Sequence, residues 1–347
     1  IRNPETGSAV ELQVCPMCGR GPVSRPSLLP PSALRVPVSL PVVLAVLVVF
    51  PAAELASAPP DARRAFGYLQ KVCRLGPRPS GSMAMQRQQR LIVDHFSRLG
   101  GRVRFQPFET AHPLSGRAVR MNNLVVTWHP EAKRRVLLAC HYDTRPFPDL
   151  DRKNPRGRFI GANDGASGVA LLMELGHHLK DRPLKVGIDF VFFDAEEFLF
   201  ARSGRFAGEF FLGSKHFARQ YRDRPPAYRY TAGVVVDMVG DRDLQLYMEK
   251  KSLSYAREVT EGIWATARRL RVRSFRDRPK PKHDIDDDHV PLNTIAKIPT
   301  CDIIDFDFPH WHTTRDTPAA CSGRSLVDVG RVLLAWLDGL PAGGPMN

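Results

Sequence analysis

The sequence predicts a single α/β domain with a mostly parallel, twisted central sheet and helices on both faces. Short apolar segments rich in β-branched residues alternate along the chain with longer segments of helical periodicity. Several of the short segments are apolar on both faces, which is typical of parallel strands buried between two layers of helices. No internal repeat is visible in the sequence. This alternation favours one parallel sheet that is covered on each side.

The predicted helices and strands follow one another from residue 61 onward. Helical spacing predicts helices over 61–75 and 84–99, and Leu99-Gly100-Gly101 is typical of a helix C-terminus. The remaining expected helices are 165–179, 253–270 and 325–340, and the expected strands are 123–128, 135–140, 186–193, 233–238 and 300–305.

The beginning of the chain carries a segment typical of export. Arg35 precedes an apolar stretch at 36–53 that runs into an Ala-x-Ala-like end, which predicts a signal peptide over 35–58 with cleavage after Ala58. A membrane anchor through residues 36–53 is an alternative, since the stretch approaches the length that spans a bilayer. A buried core helix is a further alternative. We expect an exported protein, periplasmic or extracellular, either released or anchored.

The segments on either side of this stretch are expected to differ in role. Residues 1–34 are interpreted as a tail or an upstream extension, and residues 59–347 as the catalytic domain. Cys15 and Cys18 have the spacing of half a zinc ribbon, but no second cysteine pair follows. The pattern alone therefore does not predict a structural zinc site.

The net charge of +14 raises the question of a nucleic-acid partner. Residues 1–58 contribute only +1, from four arginines and three glutamates. The densest basic run, at 268–282, contains one aromatic residue, Phe275, and no recognisable nucleic-acid-binding motif. A solvated helix end that runs into a proline-containing loop explains it. We therefore expect no nucleic-acid partner, with weak attraction to anionic surfaces or acidic peptides as the alternative.

Acidic residues and histidines follow four of the predicted strands at the point where each strand ends. They are His141, the segment 194–197, Asp237 and, after a short loop, His312. Because open α/β sheets bind their ligands at the carboxyl ends of the strands, we expect these side chains to share one site.

The types of these residues indicate a zinc site. Asp164 lies where the helix 165–179 begins, so a helix N-cap is its alternative role. The adjacent Glu196 and Glu197 repel each other unless they share a cation or a proton. Zinc would resolve this if one glutamate bound the metal and the other acted as general base or acid. With His312 as a nitrogen ligand, the set is typical of an open catalytic zinc site.

These motifs together resemble the peptidase family M28, whose fold and motifs are shared with the glutaminyl cyclases. The matching pieces are HYD at 141–143, GANDGASG at 161–168, FFDAEE at 192–197, VVVDMVG at 234–240 and WHTTRDT at 311–317. The resemblance implies that Asp164, Glu197 and His312 bind zinc and that Glu196 is the general acid/base.

Two branches of this family imply different chemistry. In the glutaminyl cyclases one zinc is used, and Asp237 and Asp287 would share hydrogen bonds with Glu196. The motif at 286–291, the segment 212–216 and Trp311 before the ligand histidine resemble this branch. Trp311 is then expected to contact the substrate.

In the aminopeptidase branch two zinc ions bind. Asp164 would bridge them, and His141 and Asp237 would complete the second site. Two departures separate the chain from animal cyclases, which have a Trp where this chain has Ala201-Arg202 and a disulfide from the cysteine before the HYD motif. The partner of that cysteine is replaced here near 166–169.

The resemblance therefore implies an enzyme that acts on the N-termini of peptides or proteins. We expect a zinc-dependent glutaminyl-peptide cyclotransferase, an acyltransferase that converts N-terminal glutamine to pyroglutamate and releases ammonia. The alternative is a two-zinc aminopeptidase, a hydrolase that uses an activated water. A non-catalytic binding domain would predict the loss of Glu196 or of a ligand, and none is missing. We expect a monomer.

Overall fold

The computed structural model describes residues 58–202 and 205–341. The predicted tail at 1–34 and nearly all of the predicted signal peptide or anchor at 35–58 lie outside the described residues. Within those two described ranges, no helix has both the length and the apolar composition that crossing a bilayer requires.

Helices and strands alternate through this part of the chain. The strands are β1 (Arg102–Ala111), β2 (Ala118–Trp128), β3 (Arg134–His141), β4 (Gly187–Phe193), β5 (Glu197–Arg202), β6 (Arg205–Phe210), β7 (Arg229–Asp237), β8 (Leu246–Tyr247), β9 (Phe275–Arg276) and β10 (Thr300–Ile304). The helices are α1 (Ala62–Cys73), α2 (Met83–Arg98), α3 (Ala166–Leu175), α4 (Leu212–Asp223), α5 (Lys250–Tyr255), α6 (Arg257–Arg269), α7 (His289–Thr294) and α8 (Gly323–Asp338).

A six-stranded sheet forms the centre of the fold, in the order β1-β2-β4-β3-β7-β10. The strands β4, β3, β7 and β10 run parallel to one another, whereas β2 pairs antiparallel with both β1 and β4. The predicted mostly parallel sheet is confirmed. The carboxyl ends of the four parallel strands meet at one edge, and this edge positions the candidate site.

Helices cover both faces of this sheet, as predicted. Because side chains alternate between faces along a strand, neighbours in β3 belong to different cores. Leu138 packs in the larger core with residues of α1, α2, α3, α6 and α8. Leu137 packs in the smaller core with Phe217 of α4 and Leu292 of α7. The parallel strands are therefore apolar on both faces because both faces are buried.

The structure corrects the predicted helix over 253–270, which is two helices. Helix α5 ends at Tyr255 and α6 begins at Arg257, because Ala256 has a φ of −142° and interrupts the helical backbone. The Ser252 hydroxyl oxygen in α5 accepts a hydrogen bond from Asp302 N in β10 at 2.8 Å, which ties the short helix to the sheet. The predicted helix over 165–179 likewise ends earlier, with α3 followed by a turn of 3₁₀ helix at Gly176–His178.

Candidate metal and active site

Three of the predicted site residues meet at the carboxyl edge of the sheet. His312 Nε2 lies 2.8 Å from Glu197 Oε1 and 3.3 Å from Asp164 Oδ2. All three side chains are buried, and one potential ligand atom of each lies within 4.8 Å of the others. Three separate segments of the chain thus bring two carboxylates and one imidazole into a single cluster, which we call the triad.

A second group shares Asp164 with the triad. His141 Nε2 lies 3.0 Å from Asp237 Oδ1 and 3.3 Å from Asp164 Oδ1. These three residues also place one potential ligand atom each within 4.8 Å of one another. The predicted second-zinc or outer residues therefore lie directly beside the triad.

The turn that places Asp164 in the triad requires a glycine at position 165. Gly165 has a φ of +95°, and a Cβ at this position would lie 2.5 Å from the Asp143 carbonyl oxygen. The Asp316 carboxylate holds the preceding turn by accepting hydrogen bonds from Asn163 N at 2.7 Å and Asp164 N at 3.1 Å. Gly165 is the N-cap of α3 and no side chain caps this helix. The Asp164 carboxylate is therefore not the helix cap that its sequence position also allowed.

The adjacent glutamates point to different partners because the backbone turns sharply before them. Ala195 has a φ of +59°, a conformation that costs free energy for a residue other than glycine. The Asp143 carboxylate accepts hydrogen bonds from the N–H groups of both Glu196 and Glu197 at 3.1 Å. Glu197 then faces His312, whereas Glu196 Oε2 lies 4.0 Å from His141 Nδ1.

His312 is held by an equally constrained loop. Its φ is +52°, and its carbonyl oxygen accepts a hydrogen bond from Leu150 N at 3.2 Å. The Trp311 and His312 rings lie 4.1 Å apart between centroids, and Trp311 also packs against Phe306 at 5.1 Å. The predicted Trp311 is thus placed at the wall of the site.

Arg145 and Asp149 also belong to the site, but the sequence did not predict them. Arg145 Nε donates to Glu197 Oε1 at 3.0 Å, and the Arg145 backbone N–H donates to Glu197 Oε2 at 2.8 Å. Asp149 lies 3.3 Å from Arg145 Nη1 and 3.6 Å from His312 Nδ1. Their sequence signal is only that they follow the HYD motif closely, because the partners lie far away along the chain.

The carboxyl groups behind the triad hold protons unusually strongly. Burial raises the pKa of Glu196 well above its ordinary value, and the charges of Glu197 and Asp287 add to the effect while His141 opposes it. Burial also raises the pKa of Asp237 to about 7, again with Asp287 adding and His141 opposing. Three of the predicted residues, Glu196, Asp237 and Asp287, therefore form an electrostatically linked group.

The carboxyl group of Asp287 also belongs to a deeper acidic cluster. Asp288, His289, Asp302 and Glu249 are buried around it. His289 Nε2 lies 3.4 Å from Glu249 Oε1, and His289 Nδ1 lies 3.9 Å from Asp302 Oδ2. Burial raises the pKa of Asp302 well above its ordinary value, and Asp287 and Glu249 add to the shift. Glu249 and Asp302 were not predicted from the sequence.

A cavity of about 360 Å³ opens onto the triad. Its floor is polar and includes Asp164, Glu196, Glu197, Asp237, Asp287 and His312. Its walls are largely apolar and include Phe210, Phe211, Met238, Ile285, Ile304, Phe306 and Trp311. Such a small pocket with converging polar groups suits one amino-acid side chain of a larger substrate.

The fold and the triad at the carboxyl edge of the sheet define an enzyme site of the metallopeptidase type. Residues 123–337 match the peptidase family M28. The chain is 26% identical over 264 residues to a glutaminyl-peptide cyclotransferase of Drosophila melanogaster, which covers 69% of this chain and 70% of that protein. The matched region spans about two thirds of the length of such animal cyclotransferases.

Solved structures give the same result. The crystal structure of Fimbriiglobus ruber glutaminyl cyclase is 40% identical, with a TM-score of 0.75, and the match covers 81% of this chain and 96% of that one. A Zn-dependent exopeptidase from Parabacteroides distasonis is 26% identical, with a TM-score of 0.74, and the match covers 82% of this chain and 100% of that one. The chain belongs to the peptidase family M28, and the resemblance predicted from its motifs is confirmed.

Proposed function

We propose that the chain is a zinc-dependent glutaminyl-peptide cyclotransferase, which converts the N-terminal glutamine of peptides or proteins to pyroglutamate and releases ammonia. The observation that carries the proposal is the position of Glu196, an acid only 12% exposed that lines the cavity beside the triad and close to His141. The similarity to the Fimbriiglobus ruber glutaminyl cyclase over nearly its whole length supports the same reading.

The triad suits a zinc ion. Two carboxylates and one imidazole are a common ligand set of catalytic zinc, and they leave a position open for substrate. Asp164 and Glu197 are buried on either side of His312, so a cation bound between them would offset the charges of the two carboxylates. We propose one zinc ion held by Asp164, Glu197 and His312.

The chain's own groups would move the proton of the reaction. A bound zinc ion supplies Lewis-acid polarisation of the γ-amide carbonyl of the substrate glutamine. Glu196 takes a proton from the substrate α-amine as its nitrogen bonds to the carbonyl carbon of the side-chain amide, and passes a proton to the departing amide nitrogen. The carbon–nitrogen bond of the side-chain amide breaks and ammonia leaves. Glu197 and Asp287 raise the proton affinity of Glu196 and so favour this transfer, and Asp287 likewise raises the pKa of the neighbouring Asp237.

The walls of the cavity would orient the substrate. Trp311 and Phe306 offer aromatic faces beside His312, where the methylene groups of a glutamine side chain can pack. Cyclisation needs no water, and an apolar wall of this kind keeps competing water from the reacting carbon. We propose Trp311 as a substrate-binding residue.

A two-zinc aminopeptidase is the second candidate. The observation in its favour is the group His141, Asp164 and Asp237, whose ligand atoms are spaced for a further metal ion. Against it, the Fimbriiglobus ruber glutaminyl cyclase is 40% identical to this chain, whereas the Zn-dependent exopeptidase is 26% identical. The similarity to the Zn-dependent exopeptidase from Parabacteroides distasonis also supports this second candidate.

One pair of assays on the full chain separates the two. We expect ammonia release from a Gln-initiated peptide and little amine release from an aminoacyl anilide, with zinc content near one per chain. Hydrolysis without cyclisation and zinc content near two would contradict the proposal.

A single variant tests the role of Glu196. Glu196→Gln is expected to lower kcat by about 10²–10⁴-fold, the usual contribution of a general acid/base, and to retain zinc. Asp284→Asn is the matched control, because Asp284 lines the same cavity but is exposed and paired with Lys250. Full turnover by the Glu196→Gln variant would refute the assignment.

We also propose that residues 59–347 form the catalytic domain and that the protein is exported through residues 35–58. Arg35, the apolar stretch that follows and its Ala-rich end support this proposal. Sequencing of the N-terminus of the exported form tests it: cleavage after Ala58 indicates a signal peptide, and retention of residues 36–53 in a membrane fraction indicates an anchor.

A further inference from the structure

We propose that Arg145 and Asp149 are positioning residues that hold two zinc ligands, Glu197 and His312, from outside the triad. The two residues and their ion pair are called the outer clamp below. This inference rests on the proposed ligand roles of Glu197 and His312. It adds two residues that would orient these ligands without binding the metal themselves.

Arg145 fixes both oxygens of Glu197. Its Nε donates to Oε1 at 3.0 Å and its backbone N–H donates to Oε2 at 2.8 Å. The Arg145 side chain is only 7% exposed, so solvent does not compete for these bonds. A carboxylate held at both oxygens has one orientation, and this is the condition for a ligand to meet a metal without reorganisation.

Asp149 faces the other nitrogen of His312. The Nε2 atom points toward Glu197 and Asp164, and Asp149 Oδ1 lies 3.6 Å from Nδ1 on the opposite side of the ring. This distance is longer than a hydrogen bond, but the negative charge of the carboxylate favours the tautomer that carries its proton on Nδ1. The proton is then kept away from Nε2, which is the nitrogen that must be free to bind a metal.

The ion pair between the two residues joins the two halves of the clamp. Arg145 Nη1 lies 3.3 Å from both oxygens of Asp149, and the side chains are four residues apart in one short segment. The next residue, Leu150, donates its N–H to the His312 carbonyl oxygen at 3.2 Å. The segment 145–150 therefore contacts the Glu197 carboxylate and both the imidazole ring and the backbone carbonyl oxygen of His312.

Charge makes the two halves unequal. Asp149 offsets the cation of Arg145, so its removal leaves that cation paired with Glu197 alone, makes the surroundings of the metal position more positive and also frees the His312 ring. Both effects weaken zinc binding. Removal of Arg145 loosens Glu197 but also removes a cation, so its two effects oppose each other. Zinc affinity should consequently fall further in Asp149→Asn than in Arg145→Gln.

Asp151 supplies a matched control within the same loop. Its carboxylate accepts hydrogen bonds from the Thr314 backbone N–H at 3.0 Å and from Lys153 N and Asn154 N at 3.0 Å. Asp151 thus stabilises the loop near His312 and has no contact with Glu197 or His312 among the described residues' hydrogen bonds and ion pairs. Loss of loop order alone would affect the Asp151→Asn variant at least as strongly.

The experiment measures zinc affinity of the full chain by competition with a chromogenic chelator. We expect Asp149→Asn to weaken zinc binding by about 10–100-fold, the usual effect of removing an outer partner of a metal ligand. Asp151→Asn should match the wild type. Thermal unfolding of the zinc-free proteins should be similar for the two variants, which separates a role in metal binding from a role in folding.

The possible outcomes bear on different statements. Unchanged zinc affinity in Asp149→Asn, or equal losses in Asp149→Asn and Asp151→Asn, would overturn the outer clamp while leaving the triad intact. A larger loss in Arg145→Gln than in Asp149→Asn would contradict the charge argument. Absence of zinc binding by the wild-type chain would instead overturn the proposed function itself.

Discussion

The strand pair β3–β4 carries buried charged residues at both ends, and the two ends are arranged in opposite ways. At the amino end, Arg135 Nε and Nη2 donate to the two oxygens of Asp189 at 2.9 Å. The same guanidinium donates to three backbone carbonyl oxygens at 2.8 Å, and the Tyr230 hydroxyl donates to Asp189. Both charges of the Arg135–Asp189 pair have their partners within the protein.

The carboxyl end of the same two strands has more acids than cations. His141 ends β3, and Glu196 and Glu197 follow β4. In the described part of the chain, His141 Nδ1 and Asp164 Oδ2 are buried with no hydrogen-bond partner. Unpaired buried polar groups are costly, so their presence indicates a ligand or a shared proton. At the amino end, the paired charges of Arg135 and Asp189 stabilise the sheet. At the carboxyl end, the acids outnumber their cationic partners and are available to bind a ligand or to transfer a proton.

The largest effect is expected at the paired end. Arg135→Met leaves Asp189 buried without its cation, so the free energy of unfolding should fall by about 3–5 kcal/mol in urea denaturation. The double variant Arg135→Met/Asp189→Leu should recover part of that loss, because it leaves no lone charge, although three carbonyl oxygens and the Tyr230 hydroxyl lose their partners. A double variant as unstable as the single one would show that the pair itself stabilises the sheet.

Glu174 in α3 tests whether a paired acid elsewhere behaves like Asp189. Arg64 Nε donates to it at 2.7 Å, as does the Asp61 backbone N–H. Burial opposes ionisation, but hydrogen bonds from His178 and Arg64 outweigh it and lower the pKa of Glu174 to about 2. Because the pKa is lower in the folded state, the stabilisation is complete above the ordinary value of 4.5 and is lost as the pH falls toward 2.

Glu174→Gln should therefore lower the free energy of unfolding by about 2 kcal/mol at pH 7. The difference from the wild type should shrink when urea denaturation is repeated at successively lower pH below 4.5. A difference that does not change with pH would mean that Glu174 contributes through packing rather than through its charge.

The smallest effect is expected at Asp302, and it should have the opposite sign. Burial raises the pKa of Asp302, so above the ordinary pKa the folded chain must hold a proton or bury a charge. Asp302→Asn removes that cost and should raise the free energy of unfolding by about 1 kcal/mol at neutral pH, and by less in acid. Destabilisation that grows with pH would place Asp302 with the paired acids instead.

The sequence was sufficient to predict the parallel strands and the site residues at their carboxyl ends. Strands such as β4 are largely apolar, so composition predicts where they lie, and the site residues were then predicted because they follow the ends of these strands. The edge strand β1 was not predicted, because its side chains are largely exposed or half-buried and form no apolar run. The hairpin of β5 and β6 and the helices α4 and α7 were also missed.

The unpredicted parts of the site share one physical cause. Arg145 and Glu197 are 52 residues apart, and their contact exists only because β3 and β4 lie side by side. Ala256 carries no sequence signal for the break between α5 and α6, since alanine favours helices and the break depends on contacts with β10. Sequence patterns describe local preference, and both features depend on tertiary neighbours.

The positive φ angles at Ala195 and His312 have a consequence for transplanting this site into other proteins. Both residues are in a backbone region that costs free energy, and the surrounding sheet compensates for it. A graft that copies only the side chains onto a relaxed scaffold would aim the two glutamates and the imidazole in different directions. The unit to transfer is the pair of strained turns together with two acids, Asp143 and Asp316, that hold the backbone around the glutamates and Asp164.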